Sequence, residues 1–455
     1  MTNPSSGSPP DTDRHGRRAV WITFFIAMTV AAFVYKAKAE DDRSAFIRWH
    51  HQLLELRNGT DIWEKYYFPT PPIMAISLAP LTILPPIEAA MVWYGFKVIL
   101  ASLCLVACMR MAVPPGYRFP WWAQGALILL SLRPILGDLH HANTNLIILS
   151  LVVATLVAWR RGYDVLAGMC LALAITYKIT PALFLPYFLY KKSWKTVAST
   201  FVGIGLFLFV IPSLVLGVKF NWTCLTSWYR LILGPYVEKG VASPQEVNQS
   251  MVGVISRLTT DAKPAGLHGY AGLPDYLMER NLVSWSPQTV NWIVKGLSLV
   301  FVAMLPVFCR TKTQRRDDPR LLGEFALVVL TMLIVSERSW KHHFVTIVLP
   351  YTYLVARVAV LPGTKRLKRG LAGSLFLSAF LMACTSSEFG FVFGKHGHKI
   401  AQYYGLFLDA ALVVYVVTAW RVMVELKTPL VEVKEGPKPV PPPHLEVAGA
   451  KALRV

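Results

Sequence analysis

Between two long apolar segments lies a polar, aromatic and acidic stretch, Lys36 to Pro72, that opens near Glu40-Asp41-Asp42 and closes on Phe68-Pro69-Thr70-Pro71-Pro72. A carboxylate cluster at the mouth of a membrane segment is where a membrane enzyme can keep a general base. Three further polar runs interrupt apolar sequence: Gly137 to Asn145 (GDLHHANTN), Asn248-Gln249-Ser250, and Ser336 to His343 (SERSWKHH). Lys178 joins them at the end of its own apolar block, followed by Ile179-Thr180-Pro181. Ionisable groups at membrane depth are expensive, so a Lys, an Arg and several His at the ends of different spans should converge on a wet cavity rather than face lipid. Lys178, Arg338, His342, His343 and Arg280 have the charge to hold a phosphate or pyrophosphate there.

Each of these residues also has a plainer reading. Lys178 can snorkel to the interface. His140/His141 and His342/His343 can meet lipid headgroups, and Asp41 and Asp42 can be ordinary solvated acids after a span. The Trp and Tyr residues of the first loop fit an aromatic belt. The histidines have no Cys or HxxxH partner pattern, which argues against zinc. The six cysteines are scattered without CxxC spacing and read as small core residues.

The elements that must position these groups are apolar helices. With 54% hydrophobic and 16% charged residues and a mean hydropathy of +0.44, the chain reads as an all-α, multi-span membrane protein. Candidate helices fall near 19–35, 88–112, 121–136, 145–159, 164–178, 179–191, 197–217, 289–309, 321–337, 344–361, 370–387 and 402–424, twelve in all. The block 71–86 carries five prolines and is too short to cross a core of about 30 Å, so it reads as an interfacial or re-entrant helix. Residues 1–18 form an N-terminal tail, 19–425 the membrane domain and 426–455 a Pro- and Lys-rich disordered tail.

The formal charge of +20 is not a nucleic-acid signal, because the basic residues sit in short clusters between apolar blocks. With 71–86 not counted as a span, the clusters Arg14/Arg17/Arg18, Arg160/Arg161, Lys191/Lys192/Lys195, Arg315/Arg316/Arg320 and Lys365/Arg366/Lys368/Arg369 fall on one side. The expected topology is an integral plasma (inner) membrane protein with both termini cytoplasmic. The loops 36–72, 218–288 and 336–343, and the active site, then lie on the outer face.

In their order along the chain, five elements resemble glycosyltransferase family 87 of the GT-C superfamily, which includes polyprenol-phosphate-mannose-dependent α-1,2-mannosyltransferases. Tyr67-Phe68-Pro69-Thr70-Pro71-Pro72 is similar to the family's Tyr-Pro-Pro element. Ala142-Asn143-Thr144-Asn145 stands where the family tends to have Gly-Gln-x-Asn. Tyr177-Lys178-Ile179-Thr180-Pro181 is similar to its Lys-x-x-Pro. Asn248-Gln249-Ser250 with Arg257, and Ser339-Trp340-Lys341-His342-His343, similar to its Ser-Trp-x-His, complete the series. The departures are Ala142 and Asn143, a longer spacing to Gly59, and three competing acids where the family places one Asp after the first span.

The resemblance implies a GT-C fold of about twelve transmembrane helices, with interfacial helices in the outer first loop and a larger outer loop in the second half. It implies transfer of a hexose, with mannose expected, from a polyprenyl-phosphate donor to a lipid or glycan acceptor, with inversion in a single displacement. Asp42 is the expected base and Asp41 the second choice, because Asp42 sits beside Arg43 and leads into the apolar-aromatic Ser44–Trp49 segment. Lys178, His342, His343 and Arg338 would hold the donor phosphate, and Asn143, Asn145, Asn248, Gln249 and Tyr67 the rest of the substrate. No cofactor and no metal are expected; the partners are the lipid-linked donor, the acceptor and membrane lipids. The competing class is a transporter or lipid flippase of glycolipid precursors, which twelve spans would also serve, but residues 1–220 and 221–455 show no repeat. A scaffold or polymer-assembly subunit without activity would follow if the acids were dispensable.

Overall fold

The computed structural model describes residues 10–235, 244–261, 281–386 and 397–427. Within them every regular element is helical. Helix α1 (Pro10–Glu40) leads into the short helices α2 (Ala45–Arg57), α3 (Ile62–Tyr66) and α4 (Pro72–Leu78), followed by a 3-10 turn Ala79–Ile83. Then come α5 (Pro86–Ala112), α6 (Trp121–His141), α7 (Asn145–Arg160), α8 (Asp164–Tyr177), α9 (Phe184–Tyr190), α10 (Trp194–Gly205), α11 (Ile211–Leu216) and α12 (Val218–Trp228). The second half holds α13 (Met251–Thr259), α14 (Pro287–Phe308), α15 (Leu321–Val335), a 3-10 segment Lys341–Ile347, α16 (Val348–Ala359), α17 (Lys365–Ala383), α18 (Gly397–Tyr403) and α19 (Leu406–Leu426).

The way each helix divides its surface identifies its solvent. On α1 Phe24, Met28, Ala31, Tyr35 and Ala39 form one buried stripe at helical spacing, while Ile22, Ile26, Val30, Phe33 and Val34 point outward and are exposed. An outward face as apolar as the inward one is stable only against lipid. Helix α15 is buried along nearly its whole length, from Leu321 to Ile334, and forms the centre of the second half.

Five helices among the described residues are long and apolar enough to cross a membrane: Asp13–Glu40, Pro86–Ala112, Trp194–Leu216, Pro287–Phe308 and Leu406–Leu426. Helices α7, α8 and α15 are apolar but have 16, 14 and 15 residues. At 1.5 Å per residue they reach only about 21–24 Å, short of a core of about 30 Å. The helix lengths therefore support five crossings, whereas apolar blocks alone count twelve. The 71–86 block is a short helix and a 3-10 turn, broken where Pro80 and Pro85 interrupt it.

The first loop is largely helical, with α2 burying Phe46, Ile47, Trp49, His50, Leu53 and Leu56 against the bundle. The described part of 218–288 holds α12 and α13, with residues 244–250 and 281–286 in turns and irregular structure. Arg280 and the tail beyond residue 427 lie outside the described residues.

Candidate functional site

Helix α1 runs on past Tyr35 to Glu40, so the acids sit at its C-terminal end rather than in an open loop. The Arg43 N–H donates to the Lys38 carbonyl at 3.1 Å, and the Asp42 N–H to the Ala39 carbonyl at 3.1 Å. This 6→1 and 5→2 pair is a Schellman cap. Its C′ residue takes the left-handed conformation, and here that residue is Asp42 with φ +55°. Glycine is the usual occupant, and an aspartate here pays some backbone energy, as Tyr67, Ala142 and Lys192 do at their own turns. The three acids are separated by their contacts. Asp41 is exposed and paired with the Arg43 guanidinium at 2.7 Å. Glu40 lies 3.7 Å from Lys36. Asp42, exposed like Asp41, carries no ion pair among the described residues, and it borders a cleft of about 920 Å³ with Glu40, His51, Pro85, Pro86 and Glu88.

A second cluster forms where α6 turns into α7. Ala142 holds the turn in the left-handed region, with φ +54°. Two residues four apart on one face of α5 brace it from below: Trp93 Nε1 donates to the Ala142 carbonyl at 3.0 Å, and Lys97 Nζ to the Asp138 carbonyl at 2.9 Å. Lys97 also pairs with Asp138 Oδ1 at 2.6 Å, both side chains being wholly buried. The other carboxylate oxygen accepts the Asn145 N–H at 3.2 Å, which places a negative charge at the N-terminus of α7. From this turn Asn143 Nδ2 donates to His342 Nε2 at 3.1 Å.

The facing wall comes from the 3-10 segment Lys341–Ile347. His342 is 2% exposed, with the rings of His343, His141 and Trp340 at 4.7, 5.1 and 5.5 Å. Burial, together with the charges of His343, His141, Lys178 and Lys341, holds its imidazole well below the ordinary histidine range, and burial does the same for His343. Both rings are therefore neutral near pH 7, and burial also lowers Lys178, to about 7, so that its charge is favoured by an anion bound beside it. Lys178, just past the end of α8, turns inward: its Nζ donates to Asn145 Oδ1 at 3.4 Å. Two nitrogens here, His342 Nδ1 and Trp340 Nε1, are buried without a hydrogen-bond partner among the described residues, while the Asn145 side chain also reaches the Asp138 carboxylate. Beside a lysine, such donors lack an acceptor, which an anion would supply.

Lys38 ties the two clusters together. It is the residue whose carbonyl accepts Arg43 in the α1 cap, and its Nζ donates to the carbonyl of His140 on α6 at 2.8 Å.

The remaining expected site residues lie elsewhere. Arg338 is exposed, with its guanidinium 5.9 Å over the Trp340 ring. Tyr67, the C-cap of α3 with φ +55°, is 63% exposed and touches neither cluster in the contacts seen. Asn248 and Gln249 are buried struts. Asn248 donates to the Glu337 carbonyl at 3.0 Å and accepts the Ser339 N–H at 3.0 Å. The Gln249 N–H donates to the Ser339 carbonyl at 2.6 Å. Arg257, 1% exposed, braces the same region through carbonyls of Gln245, Asn248, Gln402 and Tyr403. These residues hold the start of the Ser336–His343 run in place and so position the histidines.

Sequence reasoning did not single out Lys97 and Asp138. A signal existed, because a lysine in the middle of the 27-residue apolar helix α5 demands a buried partner, and the nearest unexplained acid in the polar runs is Asp138.

The glycosyltransferase family 87 profile matches residues 68–336, which takes in Lys178, the α6–α7 turn and the struts. Among characterised proteins the chain is similar to the polyprenol-phosphate-mannose-dependent alpha-(1-2)-phosphatidylinositol mannoside mannosyltransferases of two mycobacteria. Identity is 26% over 295 residues to that of Mycolicibacterium smegmatis, covering 61% of this chain and 59% of the relative. It is 23% over 290 residues to that of Mycobacterium tuberculosis, again 61% and 59%. The chain thus matches about three fifths of the length of these relatives.

Proposed function

The chain belongs to glycosyltransferase family 87, and from that premise we propose that it transfers mannose from a polyprenyl-phosphate donor to a glycolipid or glycan hydroxyl on the outer face of the plasma membrane. In this reading the chain makes a GT-C bundle of about twelve crossings with both termini cytoplasmic, the crossings beyond the five long helices being made by shorter helices together with the segments that continue them, as Lys341–Ile347 runs into α16.

The observation that carries the reading is the meeting of Lys178 with His342, whose buried Nδ1 has no acceptor among the described residues. The leaving group of a polyprenyl-phosphate sugar is a phosphate whose charge grows as the glycosidic bond breaks, and preorganised N–H groups and a lysine stabilise that growth. In this scheme Asp42, at the rim of the cleft between the end of α1, α2 and the start of α5, takes the proton of the acceptor hydroxyl as its oxygen bonds to the anomeric carbon. The bond from that carbon to the phosphate oxygen breaks on the opposite face, so the configuration inverts in one displacement. Asn143, Asn248 and Gln249 act by holding the histidine wall, and the exposed Tyr67 and Arg338 would meet acceptor or headgroup from outside it. No metal has a role in this scheme, and EDTA should leave the rate unchanged.

The test uses the full chain in lipid nanodiscs with polyprenyl-phosphate mannose, radiolabelled in the sugar, and a mannoside acceptor, following release of lipid phosphate and label transfer. Transfer lost in Lys178→Ala and in Asp42→Asn supports the assignment. Binding of the donor with movement across the bilayer, but no cleavage, would replace it with the transporter reading.

A further inference from the structure

The hydrogen bonds around Asn143 fix a proton on a ring nitrogen they do not touch. The Asn143 Oδ1 accepts the backbone N–H of its neighbour Thr144 at 2.7 Å and is also 3.4 Å from the Thr144 hydroxyl. With the oxygen anchored by a backbone donor, the amide cannot be flipped, and the atom facing His342 is the Nδ2 donor. An amide N–H at 3.1 Å from His342 Nε2 requires a lone pair on that nitrogen. A neutral imidazole with a bare Nε2 carries its proton on Nδ1. In His342 that Nδ1 is buried and has no partner, in a side chain that is 2% exposed.

We infer that Asn143 is a positioning residue that locks His342 as the neutral Nδ1–H tautomer, so that the pocket meets a phosphate oxygen of its ligand with a buried neutral donor rather than a cation. A buried N–H left unmade costs about 1–3 kcal/mol, and a ligand oxygen placed on it removes that cost. The inference rests on the phosphate reading of this pocket for its ligand, but its tautomer stands on the hydrogen bonds alone. It also divides labour: Lys178 supplies the charge, while His342 supplies direction. The charged and titratable groups facing His342 are His141 from α6, Lys178 from the end of α8, and Lys341 and His343 from its own segment. None of them is an acid that would stabilise an imidazolium.

The experiment reads the ring itself. Full-length protein in nanodiscs, labelled with nitrogen-15 at histidine only, is compared with His342→Gln to identify the His342 signals among those of eleven histidines. At pH 7 the wild type should show a protonated Nδ1 and a bare Nε2. In Asn143→Asp, the new carboxylate next to Nε2 should bring a proton to both nitrogens, while Asn143→Gln should keep the wild-type pattern. Polyprenyl phosphate added to the wild type should shift the Nδ1 signal, and Asn143→Ala should lower donor kcat/KM by about 10²-fold, the scale of losing one preorganised donor. A protonated Nε2 in the wild type, or an Asn143→Asp spectrum identical to it, overturns the inference. The expected tautomer in a protein that transfers no sugar would instead refute the transferase reading and leave the tautomer standing.

Discussion

Asp42 offers a substitution in which stability and catalysis should move in opposite directions. It occupies the left-handed C′ position of the α1 cap, with φ +55°, where an L-residue pays about 1–2 kcal/mol relative to its preferred backbone, somewhat less for aspartate. Glycine removes that cost, but it gives the unfolded chain extra freedom worth about 0.4–1 kcal/mol. The balance for Asp42→Gly is a protein as stable as the wild type or more stable by up to about 1 kcal/mol. Its turnover should nevertheless fall by about 10² to 10⁴, the contribution of a positioned base. Asp42→Asn, which tolerates the same backbone and keeps the cap, should lose turnover equally at unchanged stability. Asp41→Asn should leave turnover within about threefold, since Asp41 is exposed and spent on Arg43. Thermal unfolding in nanodiscs gives the stability, and initial rates of mannose transfer give the activity. If Asp42→Asn turns over at the wild-type rate while Asp41→Asn does not, the base lies one residue earlier and the strained cap has another cause. If neither loses activity, the acidic end of α1 is not catalytic.

His342 and His343 are both held below the ordinary histidine range in the fold, whereas the unfolded chain binds their protons near pH 6.5. Stability contributed by these neutral rings is therefore present above pH 6.5 and lost as pH falls toward their folded values, with a slope of at most about 2.7 kcal/mol per pH unit for the two together. Thermal midpoints between pH 7.5 and 5 should show this fall, and His342→Gln/His343→Gln should flatten it; an unchanged slope in the double variant would reject the assignment. Ala142→Gly should raise stability by about 0.5–1 kcal/mol, because Ala142 holds φ +54°, and a lower thermal midpoint would contradict the turn geometry. Lys97→Met alone should cost about 3–5 kcal/mol by stranding Asp138, and Lys97→Met/Asp138→Leu should recover most of it. Transfer should stay impaired in the double variant, because Asn145 has lost the carboxylate at its N–H; normal transfer there would make the pair purely structural.

What the sequence discloses and what it conceals differ in physical kind. Apolar periodicity is a local signal, so the helices near 88–112, 145–159, 289–309 and 402–424 lie close to α5, α7, α14 and α19. Whether an apolar block spans a bilayer depends on its unbroken length, and the blocks of α7, α8 and α15 read as spans although their helices are short. The convergence of Lys178, Asn143, Asn145 and His342 was legible because unexplained polarity in apolar surroundings has to be gathered somewhere. The same logic cannot separate a ligand-facing amide from a strut: Asn248 and Asn145 look alike in sequence. Yet Asn248 is consumed by the backbone of Glu337 and Ser339, whereas the Asn145 amide oxygen accepts from Lys178. The choice among Glu40, Asp41 and Asp42 was equally closed to sequence, because α1 continues through Glu40 and only the cap that ends it separates the three. That cap turns Asp41 out to Arg43 and leaves Asp42 in the strained position at the rim of the cleft. A backbone conformation that glycine would adopt freely, shared with Tyr67, Ala142 and Lys192, is what sets Asp42 apart from the other two acids, and it exists only once the chain has folded.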